Sequence, residues 1–177
     1  MGKDNNLSQF KGSKNPVEHV SWEDCQIFLK RLTEKAGGGG SYCLPTEAQW
    51  EYACRAGSTG GYCFGSSELA LDDYAWDEKN SDEKTHPVGQ KTPNAWGFYD
   101  IHGNVWQWCQ DWYGHEYYAT SPAEDPPGPL AGTHRVTRGG SWDGPQCNCR
   151  SSYRGNGSPG GRQSNVGFRV CMVLPDK

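Results

Sequence analysis

No stretch of this 177-residue chain approaches the ~18 consecutive apolar residues that a membrane-spanning helix requires, so insertion into a bilayer is excluded as an expectation. The opening Met1-Gly2-Lys3-Asp4-Asn5 is too polar for the apolar segment of a secretory leader, which predicts a soluble chain without a signal peptide, cytoplasmic by default. There is no surplus of cationic side chains: 17 Lys and Arg stand against 21 Asp and Glu, for a net charge of −4. That balance argues against a nucleic-acid partner, because binding to phosphates needs clustered positive charge. Apolar residues of all kinds make up only 34% of the sequence, so 8 Trp, 9 Tyr and 5 Phe must supply large units of burial. Also missing are an internal repeat, a Gly-x-Ser-x-Gly elbow, an HExxH pair and a phosphate loop. His19, His86, His102, His115 and His134 are scattered, and each reads as a structural or surface residue.

The eight cysteines contain no CxxC pair, and Cys147-x-Cys149 is too tight for the usual zinc loop. Their number decides neither the redox compartment nor the pairing. What the chain has in abundance is 24 Gly and 11 Pro, the composition of a loop-rich fold with short strands. One domain over residues 1–177 suits the length, which is enough to bury about 70% of the unfolded surface.

Two helices are legible. Ser21 caps a segment with acids in its first turn, and Cys25, Phe28, Leu29 and Leu32 follow at helical spacing, predicting a helix over 22–35. Thr46-Glu47-Ala48-Gln49 is a capping box, with Trp50, Ala53 and Cys54 as a buried stripe and Gly57 as the stop. Cys25 and Cys54 therefore read as small buried hydrophobes. After Ser58 come brief aromatic runs between Gly, Asn, Asp and Pro, and the Pro- and Gly-rich 120–132 stretch reads as a surface loop. Helices early and irregular strands late predict an α+β domain.

The strings Pro16 to Trp22, Leu44-Pro45-Thr46-Glu47-Ala48-Gln49-Trp50-Glu51-Tyr52-Ala53-Cys54-Arg55, Thr85-His86-Pro87-Val88-Gly89, Asn94 to Trp108, Arg138-Gly139-Gly140-Ser141-Trp142 and Gly167-Phe168-Arg169 run in order through the chain. Together they resemble the formylglycine-generating-enzyme (sulfatase-modifying factor) family. The resemblance implies a C-type lectin-like fold of that type, with two helices, short antiparallel strands and long loops. Family members begin with further strands carrying a Phe-x-Met-Gly-like segment, and Met1 falls after that point. The edge of the sheet is then expected to be absent or rebuilt, covered by another protomer or by the polar N-terminal arm.

The resemblance also implies, for active enzymes, two cysteines about five positions apart just after the Gly-Gly-Ser string, which act with copper on a substrate cysteine. Cys149 matches the second, but Gly144 stands at the first, and Cys147, the candidate stand-in, is separated from Cys149 by a single residue and so sits in a different geometry; the expectation is no catalysis, with a formylglycine-generating oxidase as the alternative. A calcium loop is a further family feature. It would use the side chains of Asp100 and Gln107 and the carbonyls of Gly103 and Val105, and Gln107 in place of the usual Glu removes a charge. The loop without metal is favoured over one holding calcium, and no cofactor is required.

The stretch after Trp142 most resembles the variable region of proteins diversified by retroelements, which mutate adenines in a template, mainly in Asn codons. In that register residues 138–169 form a variable ligand-binding region. Its variable positions are Asp143, Gly144, Pro145, Asn148, Tyr153, Gly155, Asn156, Gly157, Ser158, Gly161, Gln163, Ser164 and Asn165. Mutated AAC or AAT yields Asp, Gly, Pro, Ser, Tyr or Cys but never Lys, Glu, Trp or Met, and none of those four occurs from Asp143 to Asn165. Gln163 is unreachable from those codons. Tyr153 is the strongest candidate contact, because tyrosine buries much area at small entropic cost. The expected ligand is a protein or cell-surface molecule, the oligomeric state is left open, and a generic accessory domain would share the fold.

Overall fold

The computed structural model describes residues 6–174; residues 1–5 and 175–177 of the predicted span lie outside the described residues. The element order is α1 (Trp22–Ala36), β1 (Ser41–Cys43), α2 (Glu47–Arg55), β2 (Trp106–Trp112), β3 (Arg135–Arg138), β4 (Arg154–Gly157), β5 (Val166–Phe168) and β6 (Cys171–Val173), with short 3-10 turns at 68–73, 117–119 and 146–149. Both predicted helices form within a residue or two of their expected bounds. The Ser21 hydroxyl accepts from the Asp24 amide and the Asp24 carboxylate accepts from the Ser21 amide, while Gly37 closes α1 in the left-handed region at φ 69°. Thr46 and Gln49 make the same reciprocal pair at α2, which ends one residue before Gly57, on Ala56.

The strands form a four-stranded sheet of order β4-β3-β2-β5 and a two-stranded ladder of β1 with β6. One pairing departs from the antiparallel expectation: β5 runs parallel to β2, with Trp106 opposite Val166 and Trp108 opposite Phe168. The reason is topological. β4 is antiparallel to β3 and therefore runs with β2, so the chain must return across the sheet through residues 158–165 to reach the far side of β2. That short crossover positions the site described below.

Aromatic residues carry the core, as the shortage of aliphatics requires. Trp108 packs with Val20, Cys25, Leu29, Leu44 and Val166, and Trp50 packs with Cys54, Ile101, Cys109 and Val136. Three of the indoles are satisfied at their polar ends: Trp108 donates to the Val20 carbonyl, Trp22 to the Cys109 carbonyl and Trp50 to the Gln107 side chain. The described part of the N-terminal arm reaches the β5 edge, where Glu18 bridges Gly167. Ser8 exchanges hydrogen bonds with the Glu18 backbone, Phe10 donates to the Glu18 carboxylate, and the Phe10 ring meets Trp142 edge-on at 5.4 Å.

The β1–β6 register sets Cys43 directly opposite Cys171. Both are half-buried and unbonded, and burial raises the Cys43 thiol, with the adjacent Cys171 raising it further. Glutathione disulfide is expected to take two hydrogens from this pair, leaving as two glutathione thiols and joining β1 to β6 by a disulfide. Peptide mapping checks this: a linked Cys43–Cys171 peptide is predicted, and independent alkylation of both cysteines after oxidation would contradict it.

Candidate ligand-binding face

A buried cation organises the face. Arg138, at the end of β3, is fully enclosed, with 0% exposure. Its guanidinium donates to the Ser151, Ser152 and Tyr153 carbonyls at 2.7, 3.1 and 2.8 Å and also pairs with the Glu51 carboxylate from α2. Glu47 lies 3.5 Å away and is itself clasped by Arg154 through two bonds of 2.7 and 2.8 Å. Such charge-assisted, bidentate contacts fix geometry as well as energy. The Glu47 amide donates to Asp111, whose carboxyl is pushed up to about 6, chiefly by burial. The start of β4 is thereby tied to the N-terminal turns of α2.

The remainder of the segment is held in the same way, by donors aimed at backbone carbonyls. The Glu78 amide donates to the Gly144 carbonyl, the Tyr62 hydroxyl to Gln146, the Glu23 amide to Pro159 and the His19 amide to Gln163. The Trp142 indole donates to the Ser164 carbonyl, and the Trp106 amide to that of Asn165. His102 meets the Cys149 carbonyl through Nδ1 at 2.7 Å, and burial lowers its imidazole to about 4, so it stays neutral. Arg162 adds a two-point grip on Asp24, at 2.7 and 2.9 Å, which holds that carboxyl at about 2. A carbonyl is common to every residue type, so apart from the grips of Arg154 and Arg162 these contacts constrain the path of the chain without reading its side chains.

Seven of the predicted variable positions converge. Tyr153, Gly155, Asn156, Gly157, Ser158, Gly161 and Gln163 line one cavity of about 290 Å³ between the sheet face and the 158–165 crossover. Its fixed walls are Trp106, Trp108, Thr137, Arg154 and Val166. The alternation Trp106-x-Trp108 in β2 is the sequence signal that identifies two of these walls, since a period of two places both rings on one face. Asp143, Asn165 and Ser164 lie beside this cavity rather than in it. The Asp143 carboxylate accepts from Ser141 at 2.6 Å and from the Asn165 amide at 3.0 Å. Pro145 is exposed, Asn148 is half-buried, and Gly144 is buried, where a Cβ would stand 3.2 Å from the Asn148 amide nitrogen.

Two glycines behave unlike their neighbours in the register. A Cβ on Gly157 would lie 2.6 Å from Cη2 of Trp108, and one on Gly155 would lie 2.5 Å from the Thr137 hydroxyl and 3.1 Å from Trp106. Trp108 cannot yield freely, being 2% exposed and hydrogen-bonded at its indole nitrogen. Asn156, between them, points away and is exposed. Gly157→Val is therefore expected to cost about 1–3 kcal/mol of folding stability through overpacking, whereas Asn156→Val stays within about 0.5 kcal/mol. Denaturant unfolding of the two variants checks this, and equal costs would contradict the inward direction of residue 157.

The residues implied for chemistry are arranged differently. Cys149 is wholly buried, and burial drives its thiol far above the ordinary range, away from the thiolate that reaction with metal or sulfur needs. Cys147 is half-buried and its sulfur contacts the Asn148 side chain at 3.7 Å. Among the described residues no three His, Cys, Asp or Glu side chains gather into a metal-binding group. The loop from Asp100 through Gly103 and Val105 to Gln107 does not fit calcium as folded. The Gln107 oxygen accepts from Trp50 at 2.8 Å and from Arg169 at 3.0 Å, and its amide nitrogen donates to the Asp100 carbonyl. The half-buried Arg169 guanidinium brings a positive charge to the very oxygen a cation would need.

With this geometry in place, the relationships to known proteins are informative. Residues 2–173 match the family of the sulfatase-modifying factor enzyme 1-like domain. The formylglycine-generating enzyme of Streptomyces coelicolor is 37% identical over 180 residues, covering 93% of this chain and 55% of that enzyme. Serine/threonine-protein kinase pkn1 of Chlamydia pneumoniae is 34% identical over 171 residues, covering 92% of this chain but 25% of that protein. The chain thus spans little more than half of the one relative and a quarter of the other. Among solved structures, Treponema denticola variable protein 1 superposes with a TM-score of 0.90 at 34% identity, covering 97% of this chain and 78% of that one. PvdO from Pseudomonas aeruginosa gives 0.83 at 32% identity, covering 93% and 64%. No helix among the described residues is long and apolar enough to cross a membrane. The α+β fold is C-type lectin-like, of the formylglycine-generating-enzyme type, and the chain belongs to the sulfatase-modifying factor family.

Proposed function

We propose that this protein is a noncatalytic binding protein whose 138–169 region is diversified by a retroelement and displays variable side chains to a protein or cell-surface ligand. One observation carries the reading: the fixed residues hold the variable stretch by its backbone carbonyls, from Gly144 through Ser151–Tyr153 to Asn165. A frame of that kind tolerates replacement of the outward side chains, and loops on rigid scaffolds are where recognition is varied. Similarity to a variable protein from Treponema denticola supports it. So does the burial of Cys149 with Gly144 in place of a second cysteine, which weighs against oxidase chemistry although relatives in the family are enzymes.

The genome of the source organism provides the direct test. The expected finding is a near-copy of the segment encoding residues 138–169, beside a reverse transcriptase gene, differing from it only where the copy has adenine. Its absence would overturn the reading. Incubation with copper and a Cys-x-Pro-x-Arg peptide is expected to yield no aldehyde; aldehyde formation abolished by Cys149→Ala would establish the oxidase instead.

A further inference from the structure

The cavity under the crossover has a chemistry of its own. We propose that it receives one uncharged aromatic side chain, a tyrosine presented by a protein ligand; this rests on the 138–169 face being the ligand-binding surface. Size is the first argument. At about 290 Å³ the cavity lies at the bottom of the range that accommodates whole small molecules, and it suits a single large side chain.

Charge is the second argument. Arg154 is the one ionisable group with an ordinary charge at neutral pH in the lining, and both of its bonds to Glu47 are already made inside the protein. A phosphate or carboxylate would find no free cation there, and an ammonium or guanidinium would find no carboxylate, so either would be desolvated without compensation. A neutral group suffers no such penalty.

Shape is the third. Trp106 and Tyr153 stand with ring centroids 5.9 Å apart at 41°, and Gly155 beside them has no side chain to intrude. An incoming ring meets aromatic surface at the tilted and edge-on angles that aromatic pairs prefer. Ser158 and Gln163 supply neutral donors and acceptors around the mouth, which suits a ring bearing a hydroxyl over a bare one. Discrimination by a hydroxyl is strong where the site's polar groups would otherwise stay unpaired.

The test is titration of the folded, isotopically labelled protein with N-acetyl-tyrosinamide, followed by the indole N–H signals of its tryptophans. Shifts at Trp106, saturating in the millimolar range, are expected, with N-acetyl-phenylalaninamide at least threefold weaker and N-acetyl-aspartamide inactive. Ser158→Trp, which fills the mouth from an exposed position, is expected to abolish the shifts while leaving the remaining spectrum dispersed; should that variant not fold, Gln163→Trp serves the same purpose from the other side. Shifts with methyl glucoside but not with the tyrosine probe would overturn the aromatic assignment, as would a stronger response to the charged probe or no response at Trp106. A protein ligand that binds through Asp143 and Asn148 with this cavity unperturbed would overturn the proposal yet leave the binding face standing. A ligand bound away from residues 138–169 would defeat both.

Discussion

The structure turns on how a long irregular segment is held without reference to the side chains at its proposed variable positions. The Arg138 guanidinium, wholly enclosed, ties three consecutive carbonyls to two carboxylates of α2, and amide, hydroxyl and indole donors grip further carbonyls along the same stretch. Removing a buried cation of this sort would leave three carbonyls without donors and take from Glu47 and Glu51 one of the two cations each of them meets, a loss of about 3–5 kcal/mol by the usual measure of breaking a buried pair. Much of the fold's other detail follows from the need to place these donors. The two capped helices position Glu47, Glu51, Asp24 and the Glu23 amide, and the Trp-rich β2 positions the Trp106 amide.

The sheet topology makes the second contribution. Because β5 is parallel to β2, the chain leaving β4 must cross the face of β3 and β2 before it can pair again. The crossover could have packed flat. Instead it stands off the sheet and encloses a cavity whose floor is tryptophan and whose roof is the most glycine- and serine-rich part of the segment. One edge of the sheet, at β5, is covered by the N-terminal arm through Glu18, while β4 at the opposite edge carries Gly155, Asn156 and Gly157. The positions proposed for recognition thus lie at the β4 edge, where no other strand pairs among the described residues.

Much of this was legible in the sequence, for local reasons. Both helices announced themselves through capping boxes whose side chains do pair reciprocally, and the family resemblance carried the fold. The register named Tyr153, Ser158 and Gln163 as variable positions, but their convergence on one cavity is a finding of the structure. What escaped were tertiary facts. Nothing local distinguishes Gly157, pressed against Trp108, from Gly161, which lies on the crossover, although only the first is constrained by a ring. The parallel direction of β5 depends on the path of the whole sheet and not on three residues of it. Likewise, Gln107 reads as a weakened calcium ligand until Trp50 and Arg169, distant in sequence, are seen to occupy its oxygen.

The claim that the frame, and not the displayed side chains, stabilises the fold is tested most directly by thermal unfolding of two altered chains beside the parent. In one, Asp143, Pro145, Asn148, Tyr153, Asn156 and Gln163 are all replaced by serine; in the other, Arg138 becomes leucine. The multiply substituted chain should melt within about 5 °C of the parent, while Arg138→Leu should melt at least about 10 °C lower or fail to fold. A multiply substituted chain that melts as low as Arg138→Leu would contradict the account.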